Sequence, residues 1–272
     1  MAMRPLSLPA ALPALLPTIL IAALAAPAPA VADLSPLEKA MIVMAADLSD
    51  AVAAPGRPES ATALDASRKP AEVLGFLGLS SGMKAADLMT GGGYWAELMA
   101  RVVGPQGHVT AFEPLQFYSD KTKAEWQALL ARQKGITLQT HPLEAFTASP
   151  ESFDFAIMNT TYHDLYTQSE KMKIPRMNPD DFVRTLYAAM KPGGVVGVID
   201  HVASPGDTRA IAESLHRIDP AVVRADFERA GFVTEGESEV LRNAEDDHSK
   251  MVFDPAIRGK TDRFLLKFRK PQ

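Results

Sequence analysis

Apolar residues recur along this chain in two alternating rhythms. Short continuous runs at residues 85–89, 108–112, 136–139, 153–158 and 195–199 have the length of buried strands. Between them the apolar positions take helical spacing. Tyr94, Trp95, Leu98, Met99, Val102 and Val103 form one such face, and residues 124–133, 179–190 and 220–230 carry others, the last stopped by Gly231. Strand and helix in turn predict a doubly wound α/β fold around a mostly parallel sheet. The final two runs, 232–240 and 263–268, are joined by a long polar connection rather than a crossover helix, so they are expected to pair antiparallel and bring the sheet to seven strands. Upstream, Ser35-Pro36-Leu37-Glu38 is a capping box with proline at the first helical position. The helix it starts runs toward Pro55-Gly56, a polar connector covers 57–65, and a short helix covers 71–77. Residues 33–78 are thus expected to form an N-terminal helical cap, and residues 79–272 the main domain.

The first strand carries the chemistry. It breaks at Gly91-Gly92-Gly93 and a helix begins at once with Tyr94. Glycines there permit positive φ and let a ligand approach backbone N–H groups with no Cβ in the way. Glu113 lies about twenty residues further on, after the second strand, the separation that suits ribose hydroxyls. The pair points to an adenosine-type cofactor. A dinucleotide fingerprint would need glycine at positions 89, 91 and 94; only Gly91 fits, so an NAD-linked oxidoreductase falls behind.

With Lys191-Pro192-Gly193-Gly194 before the fifth strand and the terminal hairpin, the stretch from Arg68 to Lys270 resembles the class I S-adenosylmethionine-dependent methyltransferases, a Rossmann-like fold. It is also similar to a set of bacterial methyltransferases, predicted as such and bearing signal peptides. That likeness rests on Arg68-Lys69-Pro70-Ala71-Glu72-Val73-Leu74, Tyr162-His163-Asp164-Leu165, Leu215-His216-Arg217-Ile218-Asp219 and Phe253-Asp254-Pro255-Ala256-Ile257-Arg258-Gly259. The resemblance implies S-adenosyl-L-methionine as cofactor and a small-molecule methyl acceptor. It implies that Asp87, Gly91, Gly93, Tyr94 and Glu113 take the cofactor, with Leu143 or Glu144 beside the adenine and Asn159 beneath the methyl donor. It also implies that His163, beside Asp164, is a general base. Met89 departs from the pattern, standing where the family motif has glycine.

Ligands of a doubly wound sheet bind outside the carboxyl ends of the parallel strands. That rule gathers His163, His201, His216, Arg242 and Arg258 on one face, with His201 and His216 as further catalytic candidates. Tyr162, Arg217, Arg242 and Arg258 are expected to hold substrate, Arg217 through a carboxylate or phosphate. No His-x-x-x-His spacing is present, and no metal is expected.

Composition narrows the rest. The 272 residues are 47% hydrophobic and carry a net charge of −5, which argues against a nucleic-acid binder. There is no cysteine, which excludes disulfides and thiolate metal sites. Residues 1–32 read as a signal peptide: Arg4 is their one charge, an apolar core follows, and Ala30-Val31-Ala32 offers a cleavage site before Asp33. Pro9, Pro13, Pro17, Pro27 and Pro29 disfavour a permanent membrane helix, so a periplasmic or secreted protein without stable membrane insertion is expected. The donor is made in the cytoplasm, so export also suits an alternative, a non-catalytic binding protein that keeps the fold.

Overall fold

Every apolar run becomes a strand of one sheet in the computed structural model, which describes Ser35 and residues 48–272. The strands are β1 (Lys84–Leu88), β2 (His108–Pro114), β3 (Ile136–His141), β4 (Phe153–Asn159), β5 (Met190–His201), β6 (Val233–Ser238) and β7 (Arg263–Arg269). Their order is β3-β2-β1-β4-β5-β7-β6. The first five run parallel, and β7 lies antiparallel between β5 and β6, as the missing crossover helix required. The chain winds outward from β1 to β3 and then returns to β4 on the other side of β1. That reversal opens a crevice at the carboxyl ends of β1 and β4.

Residues 48–53 are helical, and the helices after them are α1 (Glu59–Thr62), α2 (Asp65–Arg68), α3 (Pro70–Leu77), α4 (Tyr94–Val103), α5 (Asp120–Arg132), α6 (Pro179–Ala189), α7 (Thr208–Leu215) and α8 (Pro220–Ala230). Their starts follow the sequence. Ser119, Asn178, Asp207 and Asp219 cap α5 to α8 through their side-chain oxygens, and Pro179 and Pro220 occupy first-turn positions. Alternation along the central strands feeds two cores, because successive side chains point to opposite faces. Phe155 and Ile157 of β4 join Leu74, Leu77, Leu98, Trp126 and Leu129 from α3, α4 and α5. Ala156 and Met158 join Val183, Leu186, Val223 and Phe227 from α6 and α8. Both faces are covered, which explains why these strands are apolar throughout.

Two features differ from the sequence reading. Helix α7 is not among the expected helices; Ala212 is its one fully buried residue. The stretch 57–65, read as a connector, contains α1 and the start of α2. Helix α3, in the expected N-terminal cap, packs Leu74 and Leu77 into the core on one face of the sheet. The signal segment and residues 36–47 fall outside the described residues; the end of the helix expected from Ser35 toward Pro55 is described, with residues 48–53 helical and Leu48 buried in the core. No described helix is long and apolar enough to cross a membrane.

Candidate active site

The turn after β1 closes around its glycines. Gly91 and Gly93 adopt positive φ (58° and 82°). A Cβ at Gly93 would lie 2.5 Å from Leu129 of α5, so the turn packs tightly beneath. At Gly91 it would meet nothing within 4 Å, so that face is open. Trp126 Nε1 donates to the Gly91 carbonyl at 2.7 Å and pins the loop to α5. Asp87 ends β1 fully buried, accepting from the Ala96 N–H at 2.9 Å and from the Thr90 hydroxyl. Burial pushes its carboxyl up to about 7, against those two donors.

Above the loop lies a crevice of about 530 Å³, within the range of small-molecule sites. Its walls are the loop 90–92, the first turn of α4, the inner face of α5, Asn159–Thr161 after β4, and α1 and α2. Arg68 closes one side, stacked 4.4 Å over the Tyr94 ring, and Tyr94 donates its hydroxyl to Asp65 at 2.7 Å. Three buried polar atoms on residues lining the crevice have no partner among the described residues: Asn159 Oδ1, Thr161 Oγ1 and Trp95 Nε1. Buried polar groups are nearly always bonded, so three orphans on residues around one crevice mark a place for a polar ligand.

The other half of the expected cofactor site is closed. Met89 keeps the left-handed backbone, φ 52°, that glycine adopts without strain. Its side chain is 6% exposed and packs with Phe112, Leu143, Phe146 and Phe182 around a hollow of only about 10 Å³. Glu113 is buried as well. Its Oε2 accepts from the Gly91 N–H at 2.8 Å, and burial pushes its carboxyl up to about 8 despite that donor. Glu113 does not line the large crevice, and Glu144 sits exposed, accepting from Gln116 at 2.9 Å.

The histidines form a second cluster just past Asn159. Asp200, at the end of β5, is fully buried and accepts from the His163 N–H (2.9 Å), the His201 N–H (2.7 Å) and His163 Nδ1 (2.9 Å). The other ring nitrogen of His163, Nε2, lies 3.3 Å from His216 Nδ1 and 3.5 Å from Asp164 Oδ1. Burial alone would lower His163, but Asp200 and Asp164 outweigh it and hold the ring at about 9. Burial pulls His201 down to about 3, and its Nδ1 is engaged with Thr261 at 2.8 Å. Burial and the charge of His163 lower His216.

Two substrate assignments are corrected. Tyr162 has no exposed surface and donates its hydroxyl to Asp226 at 2.7 Å, inside the core. Arg217 is equally buried, bidentate to Asp246 (2.9 and 3.0 Å) and bonded to the Val202 and Lys250 carbonyls, so four of its five N–H donors are engaged inside the protein and none of its surface is open to a substrate. Both sit beside polar motif residues, and sequence alone does not reveal which way such a side chain turns. Arg242 is committed to Asp262 at 2.8 Å, and Arg258 is exposed. Neither Arg242, Arg258 nor any of the three histidines borders the crevice. Arg68, which does, was visible in the sequence as one of three basic residues near α3; of the others, Arg57 is paired with Asp65 and Lys69 is exposed.

The fold so described is the class I methyltransferase fold, with the 3-2-1-4-5-7-6 sheet order at its centre. No protein-family model matches the sequence, and no curated protein matches it. Similar solved structures include an S-adenosylmethionine-dependent methyltransferase from Aquifex aeolicus, 20% identical, with TM-score 0.53 over 79% of this chain and all of that one. Another, from Mesorhizobium loti, is 18% identical with TM-score 0.53 over 76% of this chain and 99% of the other. A third is the [4+2]-cyclase SpnF, 17% identical with TM-score 0.53 over 85% and 94%.

Proposed function

We propose that this protein is an S-adenosyl-L-methionine-dependent methyltransferase acting on a small-molecule acceptor. The observation that carries the reading is the crevice at the β1–β4 switch point, bordered by an open glycine turn and by three residues that hold unpartnered buried polar atoms. The bound donor would supply an electrophilic methyl group on a sulfonium. Arg68 suits its carboxylate, Asp87 and the loop N–H groups its amino-acid end, Asn159 the floor, and Glu113 the ribose hydroxyls. The protein's part in an in-line displacement is chiefly alignment, with removal of the acceptor's proton where the acceptor is a hydroxyl. His163, which the resemblance implies as the base, does not border this crevice, so the geometry gives it no contact with an acceptor held there.

A second reading is favoured by the closed adenine side: a binding protein that keeps the fold and uses the crevice for another ligand. Calorimetry of the full chain with S-adenosylmethionine and with its demethylated product separates the two. Binding of either in a one-to-one ratio supports the enzyme; no heat from both discards it.

A further inference from the structure

The histidine cluster has the layout of a metal centre, which the function above neither requires nor explains. His163 Nε2, Asp164 Oδ1 and His216 Nδ1 offer three ligand atoms, all within 4.8 Å of one another. The separations from Nε2, 3.3 and 3.5 Å, are close to the edge of a tetrahedron with metal–ligand bonds of 2.0–2.1 Å, which is about 3.3–3.4 Å. A hydrogen bond explains them less well. Each distance is long for one, and a single Nε2 faces both partners.

A second observation is independent of these distances. Metal-bound histidines typically donate their remote N–H to a carboxylate, which fixes tautomer and ring orientation. Asp200 does this to His163 Nδ1 at 2.9 Å, and is itself immobilised by two backbone N–H groups. The Nε2 lone pair is thereby aimed at the other two ligands. A third observation is the backbone of His216. It ends α7 at φ 54°, a strained conformation for a residue with a Cβ, and such strain gathers at functional positions. The bend is what turns its ring onto His163, with Phe253 tilted 5.0 Å from its outer side.

We propose that His163, Asp164 and His216 bind one divalent transition-metal ion of the zinc type, with Asp200 as the supporting carboxylate. Two imidazoles and one carboxylate favour zinc, cobalt or manganese over calcium or magnesium, which prefer all-oxygen sites. Three protein ligands leave a fourth position open, the pattern of catalytic rather than structural sites. The ion takes the place on Nε2 that a proton would occupy, so metal and acid compete there.

The test needs no methyl donor, so its outcome is separate from that of the function above. The full chain, freed of metal with a chelator, is titrated with Zn²⁺ by calorimetry and with Co²⁺ by visible absorption. One equivalent of each is expected, with a d–d band for Co²⁺. Asp164→Asn keeps the side-chain shape, and His216→Asn keeps a residue that tolerates the left-handed backbone. Each should weaken binding at least tenfold, and Asp200→Asn about 10- to 100-fold through His163. In the unaltered protein Co²⁺ should broaden the ring-proton resonances of His163 and His216 and leave those of His108, on β2, sharp. Binding that is absent, or unchanged in both ligand variants, overturns the assignment, as does broadening that spares His163 and His216.

Discussion

Met89→Gly should make the protein less stable and a better binder of the adenosyl group. Met89 fills the hollow between Phe112, Leu143, Phe146 and Phe182 that a purine ring beside Glu113 would need, and it does so from a left-handed backbone. Removing a buried methionine side chain costs about 2–5 kcal/mol. Glycine returns about 1–2 kcal/mol by relieving the left-handed strain. The net loss is on the order of 1–3 kcal/mol, a fall in Tm of roughly 3–10 °C for a domain of this size. Binding moves the other way. A ligand entering the natural protein must expel a side chain whose burial is worth about 1.5–3 kcal/mol, and the variant is spared that displacement, so affinity should rise about ten- to a hundredfold. Calorimetry with the demethylated cofactor, beside a thermal melt, reads both. Met89→Leu is the control, because it keeps the hollow filled and should gain nothing. A glycine variant that melts earlier and binds no tighter refutes the placement of the adenine there.

The acid beside that hollow gives a pH signature. Glu113 is held at about 8 against an ordinary 4.5, so the fold keeps a proton that the unfolded chain releases; stability of the ligand-free protein should decline as pH rises across that window, and Glu113→Gln should flatten the decline. Ribose hydroxyls are best bound by the ionised carboxylate, so cofactor affinity should weaken by up to about tenfold per pH unit below 8, measured by calorimetry between pH 6 and 9. Arg68→Gln removes an arginine that lines the crevice above the glycine turn and should raise the Kd by about 10- to 100-fold, as loss of a charged hydrogen bond does, leaving the fold intact by circular dichroism. Asp246→Ala strands the buried Arg217 guanidinium and should destabilise the chain by about 3–5 kcal/mol in urea unfolding; an unaffected fold would return Arg217 to the list of substrate ligands.

What the sequence could disclose depended on whether a feature is periodic. Strands β1, β2, β4 and β5 are buried on both faces, so their apolar runs stand out, and α6 and α8 announce themselves through proline and an Asn or Asp cap. Helix α7 has an Asp cap but no first-turn proline, and with Ala212 its one fully buried residue it stands out less. The site follows the same rule. The glycine turn is local and was legible; the crevice above it is not, because one wall comes from α1 and α2, thirty residues upstream in a stretch whose polar composition resembles a loop. The metal-type cluster is equally non-local. Its ligands lie after β4 and at the end of α7, so no short spacing rule could bring His163 and His216 together.

The two halves of the crevice stand in opposite conditions, and that contrast says how the site would work. On the side of Arg68 and Asn159 the crevice is already open, and buried polar atoms of its lining residues stay unpartnered just behind its surface, so a polar ligand enters existing space and needs only local side-chain shifts to meet them. On the side of Met89, apolar contacts are satisfied and Glu113 rests on the Gly91 N–H, so the acid and the loop satisfy each other while no ribose is present. Admission of an adenosyl group must break that contact and displace a thioether, and both movements lie within one turn of chain. A ligand lacking the nucleoside would bind the open half and leave Glu113 in place. Cofactor binding should therefore change the Gly91 amide resonance, and amino-acid fragments of the cofactor should not; equal shifts from both would mean that the Glu113–Gly91 contact is no gate to the adenine side.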